Sequence, residues 1–258
     1  MTTSQSVIKY LAIALAIFII ASMATGVVWL VQNVFNITDS TPLIKETYDL
    51  GNYKDLDISV GASTLKIKTC DKATLEITSD YTYELKDNEL SIYTKTNKLR
   101  HKNKSEITLC VTNPSFDNVR ISGGAGSINI TSLEANKVKF DLGAGDVVID
   151  SLTVLESIKL SGGAGNVKIS NSFLTDSDID LGVGNFTLNT TFKGDTDIDM
   201  GVGNLDVKLL DGIENYSFDI DKGLGNVKID GTKKSSGKYG VGNTLIRVDG
   251  GVGNIDIK

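Results

Sequence analysis

The sequence predicts an all-β fold: a parallel β-solenoid, β-helix-like with about 20 residues per coil, preceded by one N-terminal transmembrane α-helix. Three observations predict it. A Gly-x-Gly doublet recurs at a near-constant step, apolar and polar residues alternate around each doublet, and one uncharged apolar run stands near the N-terminus.

The composition fits this class and excludes others. The chain has 258 residues with 26 Gly and only 2 Pro. Ile, Val and Leu are too abundant for a flexible linker, so the glycines belong to folded backbone. A single His rules out a His-rich metal centre and disfavours His-based catalysis, and 2 Cys are too few for a Cys₄ zinc site or a disulfide-dense scaffold. The net charge of −6 argues against nucleic acid as a partner.

The first element is the apolar run. Residues 11–31 carry no charge, and at about 1.5 Å per residue they span about 31 Å, the thickness of a hydrocarbon core. The run continues through Val27, Val28, Trp29, Leu30 and Val31, beyond the point where a secretory h-region stops, which favours an uncleaved anchor over a signal peptide cut near Ser22-Met23-Ala24. Lys9 on the N-terminal flank orients the helix with its N-terminus inside. The expected order is a short cytoplasmic tail at 1–9, a transmembrane helix at 10–33 and a polar extracellular stalk at 34–50. The protein is thus expected in the cell membrane, single-pass, with the C-terminal domain outside.

Residues 51–117 form an N-terminal β region. Leu56, Ile58 and Val60, then Leu65 and Ile67, then Leu75 and Ile77, alternate with polar residues, and Ile107, Leu109 and Val111 close the zone. Lys86-Asp87-Asn88-Glu89 between two alternating runs reads as a four-residue hairpin turn.

Residues 118–258 carry the repeats. The doublets are Gly124/Gly126, Gly143/Gly145, Gly163/Gly165, Gly182/Gly184, Gly201/Gly203, Gly223/Gly225 and Gly251/Gly253, with an off-period pair at Gly240/Gly242. Their leading glycines step by 19, 20, 19, 19, 22 and 28 residues. Ile121, Phe140, Leu160, Ile179, Ile198 and Ile220 stand three residues before a doublet, and pairs such as Ile128/Ile130 and Leu205/Val207 follow it. A coil cannot bury such a face alone, whereas stacked coils can. The polar position after each doublet (Ser127, Asp146, Asn166, Asn185, Asn204, Asn226 and Asn254) should then align into a side-chain ladder.

The run 107–126 (Ile-Thr-Leu-Cys-Val-Thr-Asn-Pro-Ser-Phe-Asp-Asn-Val-Arg-Ile-Ser-Gly-Gly-Ala-Gly) and the ending 248–257 (Val-Asp-Gly-Gly-Val-Gly-Asn-Ile-Asp-Ile) resemble the bacterial "putative adhesin" β-strand-repeat family of unknown function. The resemblance covers residues 50–258. It implies a membrane-anchored envelope protein of the kind found in Gram-positive bacteria, some of which are thought to sit with envelope-stress regulators. It supplies no catalytic residues.

Several groups are candidates for chemistry. Asp176-Ser-Asp178-Ile-Asp180 recurs as Asp195-Thr-Asp197-Ile-Asp199 and in part as Asp219-Ile-Asp221. In a solenoid, Asp178, Asp197 and Asp219 stack outward about 4.8 Å apart, beneath Arg120, Lys139 and Lys159. Like charges so placed invite a counter-ion, so Asp178, Asp180, Asp197, Asp199, Asp219 and Asp221 are a candidate Ca²⁺ site, weighed against a solvated face. Lys95, Lys98, Arg100, His101, Lys102 and Lys104 form a basic loop suited to anionic envelope polymers or lipid head groups, or simply to solvent. The insertion 233–238 reads the same way. Cys70 and Cys110 share the outward face of their strands and can pair if those strands are neighbours, and otherwise remain two free thiols.

The expected function is a non-enzymatic membrane protein that displays an extracellular solenoid for binding, adhesion or envelope-stress sensing. Its expected partners are the membrane, a cell-wall polymer or another envelope protein, with no obligatory cofactor. Two alternatives stand beside it. One is self-assembly through an exposed C-terminal edge, the strand 255–258. The other, less favoured, is a Ca²⁺-dependent polysaccharide-active enzyme on the acidic face, with Lys193 or Lys208 as the basic residue.

Overall fold

The computed structural model describes residues 43–95 and 105–258. The predicted tail, the membrane helix and residues 34–42 of the stalk lie outside the described residues, as do Lys98, Arg100, His101, Lys102 and Lys104 of the basic loop. Among the described residues no helix is long and apolar enough to cross a membrane. Their helical structure is one 3₁₀ turn, Ile213–Asn215.

Alternating sequence becomes strand throughout. The N-terminal region forms β1 (Lys45–Asp49), β2 (Asp55–Val60), β3 (Ser63–Thr69), β4 (Thr74–Thr78), β5 (Tyr81–Lys86), β6 (Glu89–Thr94) and β7 (Ser105–Val111). The repeats form β8 (Ser115–Gly123), β9 (Ala125–Ile130), β10 (Leu133–Asp141), β11 (Ala144–Ile149), β12 (Leu152–Ser161) and β13 (Ala164–Leu209), the last unbroken through the Gly182 and Gly201 corners. Then follow β14 (Tyr216–Asp221), β15 (Leu224–Ile229), β16 (Thr232–Lys234), β17 (Gly237–Gly240), β18 (Thr244–Asp249) and β19 (Val252–Ile257).

The strands stack in parallel, coil upon coil, in the expected register. Val138 of β10 lies between Val119 of β8 and Ile158 of β12, and Val147 of β11 between Ile128 and Val167. The inward positions named from the repeat are buried in every coil, and one core cluster runs through the solenoid. Glycine is required where coils approach most closely. At Gly203 φ is +145°, and a Cβ there would run into the carbonyl oxygen of Gly184 in the next coil.

The order of coils in space departs from the order in sequence at both ends. β2 and β3 do not form the edge. They lie between β8 and β9 on one side and the later β6 and β7 on the other. At the other end β18 and β19 slot between the last coil of β13 and the earlier β14 and β15. The first and last coils of the described region are therefore each one step inside their edge. This corrects two expectations. The C-terminal edge is not open, because the strand around Ile255 is hydrogen-bonded on both sides, to the strands of Leu205 and Val227.

The last two doublets are also exchanged. The repeat order would seat Gly225 on Gly203 and leave Gly253 outermost. Instead Gly253 pairs with Gly203, and Gly225 pairs with Gly253 from the far side. A Cβ at Gly253 would meet the carbonyl oxygen of Gly203, and one at Gly225 that of Gly253. The physical reason is the capping hairpins: β16 and β17 turn back over β15 and β14, so the chain can re-enter only on the inner side of that coil.

Both ends are closed by antiparallel strands. β4 pairs with β7, β1 with β4 and β5 with β6 at one end, and β16 with β15 and β17 with β14 at the other. β16 and β17 are short and rich in Gly and Lys, the usual means of blunting an edge. The β5–β6 turn is the four-residue turn predicted. Lys86 pairs with Glu89, leaving only Asp87 and Asn88 in the loop, at φ +49° and +72°, the type I′ signature. A buried tyrosine stands near each end. Tyr81 accepts from the Gly61 N–H at 3.0 Å, and Tyr216 accepts from the Phe192 N–H at 3.0 Å while donating to Asp211 at 2.6 Å.

Candidate functional site

Parallel stacking turns each outward position of the repeat into a column along the solenoid. Four such columns concentrate the chemistry.

The first holds Asp57, Arg120, Lys139, Lys159 and Asp178 in consecutive register. Beyond it Asp197 pairs with Arg247, and Arg247 with Asp219. The expected stack of Asp197 directly on Asp219 is thus corrected: the inserted terminal coil places a cation between them. Arg247 donates to Asp197 at 3.1 Å, Lys159 to Asp178 at 2.6 Å, and Lys238 lies 3.6 Å from Asp219. These bonds hold the Lys159 and Arg247 cations above their ordinary pKa values, through Asp178 and Asp197 respectively. Among the described residues neither Lys193 nor Lys208 makes an ion pair with these aspartates.

The second column lies two residues further along each strand. Ser59, Ser122, Asp141, Ser161 and Asp180 stand in register, and Asp199, Asp249 and Asp221 continue it. Four successive carboxylates result, with Asp249 the member that the repeat did not reveal. Desolvation, then the charges of Asp180 and Asp249, raise the Asp199 pKa. Lys159 reaches Asp180 at 4.0 Å. Among the described residues no group of three or more His, Cys, Asp or Glu side chains is arranged to hold a metal ion.

The third column is the amide ladder. Asn166 donates to Asp146 at 2.9 Å, Asn185 to Asn166 at 3.0 Å, Asn204 to Asn185 at 2.9 Å, Asn254 to Asn204 at 3.0 Å and Asn226 to Asn254 at 3.2 Å. The exchange of Gly225 and Gly253 carries into this column, so Asn226 is its outermost amide. All donors point the same way, and the row ends on a carboxylate, a charge-assisted acceptor.

The fourth column went unrecognised in the sequence because all its members but Ala62, of Gly61-Ala62-Ser63, sit inside the doublets. The middle residue of each in-period Gly-x-Gly is exposed at the corner. Ala62, Ala125, Ala144 and Ala164 are followed by Val183, Val202, Val252 and Leu224, all exposed. Leu224 exposes 75% of its surface and Val183 54%.

Cys70 and Cys110 are joined as a disulfide, with Cα atoms 5.4 Å apart. β3 and β7 are neighbours, so the two cysteines on their outward face meet. Close by, Glu106 accepts from Lys45 at 2.7 Å and also from Lys66. These two ammonium groups lower its pKa to about 2. At the opposite end, within the 233–238 insertion, Lys234 lies 4.9 Å from the centre of the Tyr239 ring.

Comparison with known proteins gives one family match and several similar solved structures. A family model described as Toastrack DUF4097 matches residues 50–250. Among solved structures the chain is similar to a "putative adhesin" from Bacteroides fragilis, with 16% identity, 86% of this chain and 100% of that chain covered, and a TM-score of 0.43. It is similar to a "putative adhesin" from Parabacteroides distasonis, with 14% identity, 85% and 98% covered and a TM-score of 0.46. A "putative cell adhesion protein" from Clostridium sporogenes has 19% identity, 84% and 99% covered and a TM-score of 0.30. No curated protein matches the chain. The family assignment rests on the sequence model, which spans most of the chain and takes in seven of the eight doublet corners: the chain belongs to the Toastrack DUF4097 family.

Proposed function

We propose that the protein is a non-enzymatic display scaffold of the cell envelope. Segment 10–33 tethers it to the membrane, and the solenoid outside presents charge-sorted columns to a cell-wall polymer or another envelope protein. The observation that carries this reading is the outward sheet face. Its cations Arg120, Lys139 and Lys159 stand in consecutive coils, and its carboxylates Asp178, Asp197 and Asp219 follow at the fixed strand spacing with Arg247 set between the last two. Such a face recognises a partner by charge pattern and holds it without rearrangement. The Cys70–Cys110 bond supports an external location, since disulfides persist in oxidising compartments.

The test measures retention of the full chain on purified cell envelopes stripped of their own copy. Lys139→Glu/Lys159→Glu, Asp178→Asn/Asp197→Asn and wild type are compared, each with and without Ca²⁺. A several-fold loss in either variant supports the binding face and identifies the charges responsible. Equal retention of all three removes it. Localisation is read separately, by protease digestion of the solenoid on intact cells.

A further inference from the structure

We infer that the Gly-x-Gly corner is a self-association surface on which a second copy of this chain docks antiparallel. The corner column divides into two halves of four coils. Ala62, Ala125, Ala144 and Ala164 make a low half, and Val183, Val202, Val252 and Leu224 a raised half. A twofold axis crossing the column between Ala164 and Val183 reverses the coil order of the second copy. Ala164 then meets Val183, Ala144 meets Val202, Ala125 meets Val252 and Ala62 meets Leu224. Each projecting side chain falls on a low position, at every one of the eight coils.

The flanking columns obey the same symmetry, though nothing in the corner itself requires it. Three residues before the corner, Ser161 meets Asp180, Ser122 meets Asp249 and Ser59 meets Asp221, setting hydroxyl donors against the carboxylates. The exception is Asp141 opposite Asp199, and Asp141 has Lys139 at 3.2 Å. Two residues after the corner, Asp146 meets Asn204, Ser127 meets Asn254 and Thr64 meets Asn226. Each ladder amide uses one N–H within the ladder and keeps the second for such a partner. A parallel arrangement instead sets Leu224 on Leu224 and Ala on Ala along the ridge, leaving gaps. Surfaces on which residue i meets j and j meets i define an isologous dimer.

Hydrogen bonding from coil to coil continues through the corner in β13, so the corner and its flanks keep one register. Farther out the match ends, since Arg120 would meet Arg247, so the contact is confined to the corner and its two flanks. Seven coil spacings give a ridge about 34 Å long. With its flanks it buries roughly 1,000 Å² in total, the lower bound for a specific interface, which makes the dimer reversible.

Cysteine cross-linking of the full chain in its membrane tests the inference. Ala125 and Val252 are five coils apart in one chain, about 24 Å, beyond the reach of an intrachain disulfide. Ala125→Cys/Val252→Cys should give a covalent dimer under mild oxidation, and Val252→Cys alone should not. Self-cross-linking of Val252→Cys, cross-linking to a different protein, or no cross-link from the pair overturns the arrangement. In detergent at about 100 μM, sedimentation should give wild type the mass of two copies, and Val202→Asp that of one. Leu224→Asp, at a more exposed position, repeats the measurement should Val202→Asp melt differently from wild type. Wild type at the mass of one copy, or a folded variant that stays at two, also overturns it.

Discussion

Removing one rung of the amide ladder should cost an amount set by the number of bonds that rung makes. Asn204 makes two, donating to Asn185 at 2.9 Å and accepting from Asn254 at 3.0 Å. Asn226 makes one, donating to Asn254 at 3.2 Å. A net hydrogen bond contributes about 0.5–1.5 kcal/mol. The ladder is exposed, so groups orphaned by truncation rehydrate, which places each bond in the lower half of that range. Asn204→Ala should therefore cost about 1–2 kcal/mol and Asn226→Ala about half as much. At roughly 2–4 °C per kcal/mol for a domain of this size, Tm falls by about 2–8 °C in the first case and 1–4 °C in the second. Thermal unfolding followed by circular dichroism resolves the difference. Asn204→Ala and Asn254→Ala share one bond, so the double variant should lose less than the sum of the singles, by about one bond. Equal losses at Asn204 and Asn226, or strict additivity of the double, would refute a hydrogen-bonded ladder as a source of stability.

Three further outcomes are expected. Gly203→Ala forces a side chain into φ +145° and against the next coil's carbonyl, costing at least about 3 kcal/mol by denaturant unfolding. Gly123→Ala, whose Cβ meets the tip of Ile128 at 3.1 Å and no backbone atom closer than 3.8 Å, should cost under about 1 kcal/mol, and parity between the two would contradict the corner geometry. Glu106 has a folded pKa near 2, below its ordinary value of 4.5. Its contribution is complete above that ordinary value and is lost as pH falls towards 2, so Glu106→Gln should flatten the acid limb of a stability–pH curve; an unchanged limb rejects this. The disulfide closes a loop of 40 residues, for which the chain-entropy model gives about 4 kcal/mol. Calorimetry of Cys70→Ser/Cys110→Ser against the oxidised protein checks this, and a difference below about 1 kcal/mol speaks against the bond's role in stability.

Periodic features were legible in the sequence. Burial of Phe140, Ile179 and Leu205 follows from alternation, and the Asn166–Asn185–Asn204 ladder from a step of 19 residues. Features that depend on which coil lies beside which were not. The 28-residue step before the last doublet, whose 233–238 insertion read as a loop, holds the capping strands β16 and β17 and the return of β18 into the stack. That return sets Gly253 inside Gly225, and it carries Arg247 and Asp249 into the acidic columns, far from their sequence neighbours. The Cys70–Cys110 pairing depends on β3 meeting β7 across three intervening strands, a relation that periodicity does not encode. The outward Ala, Val and Leu were overlooked because the flanking glycines alone explain the corner.

The inward placement of the first and last coils has a mechanical consequence. A solenoid whose final coil is also its edge peels from that end, one ladder breaking at a time under low force. Here the terminal coil of β18 and β19 is held by ladders on both sides, and the coil of β2 and β3 likewise. Tension applied at the β19 end meets two ladders loaded together in place of a zipper, and at the other end β1 leaves β4 before the coil of β2 and β3 is loaded in the same way. A scaffold built this way resists unravelling when what it holds is pulled.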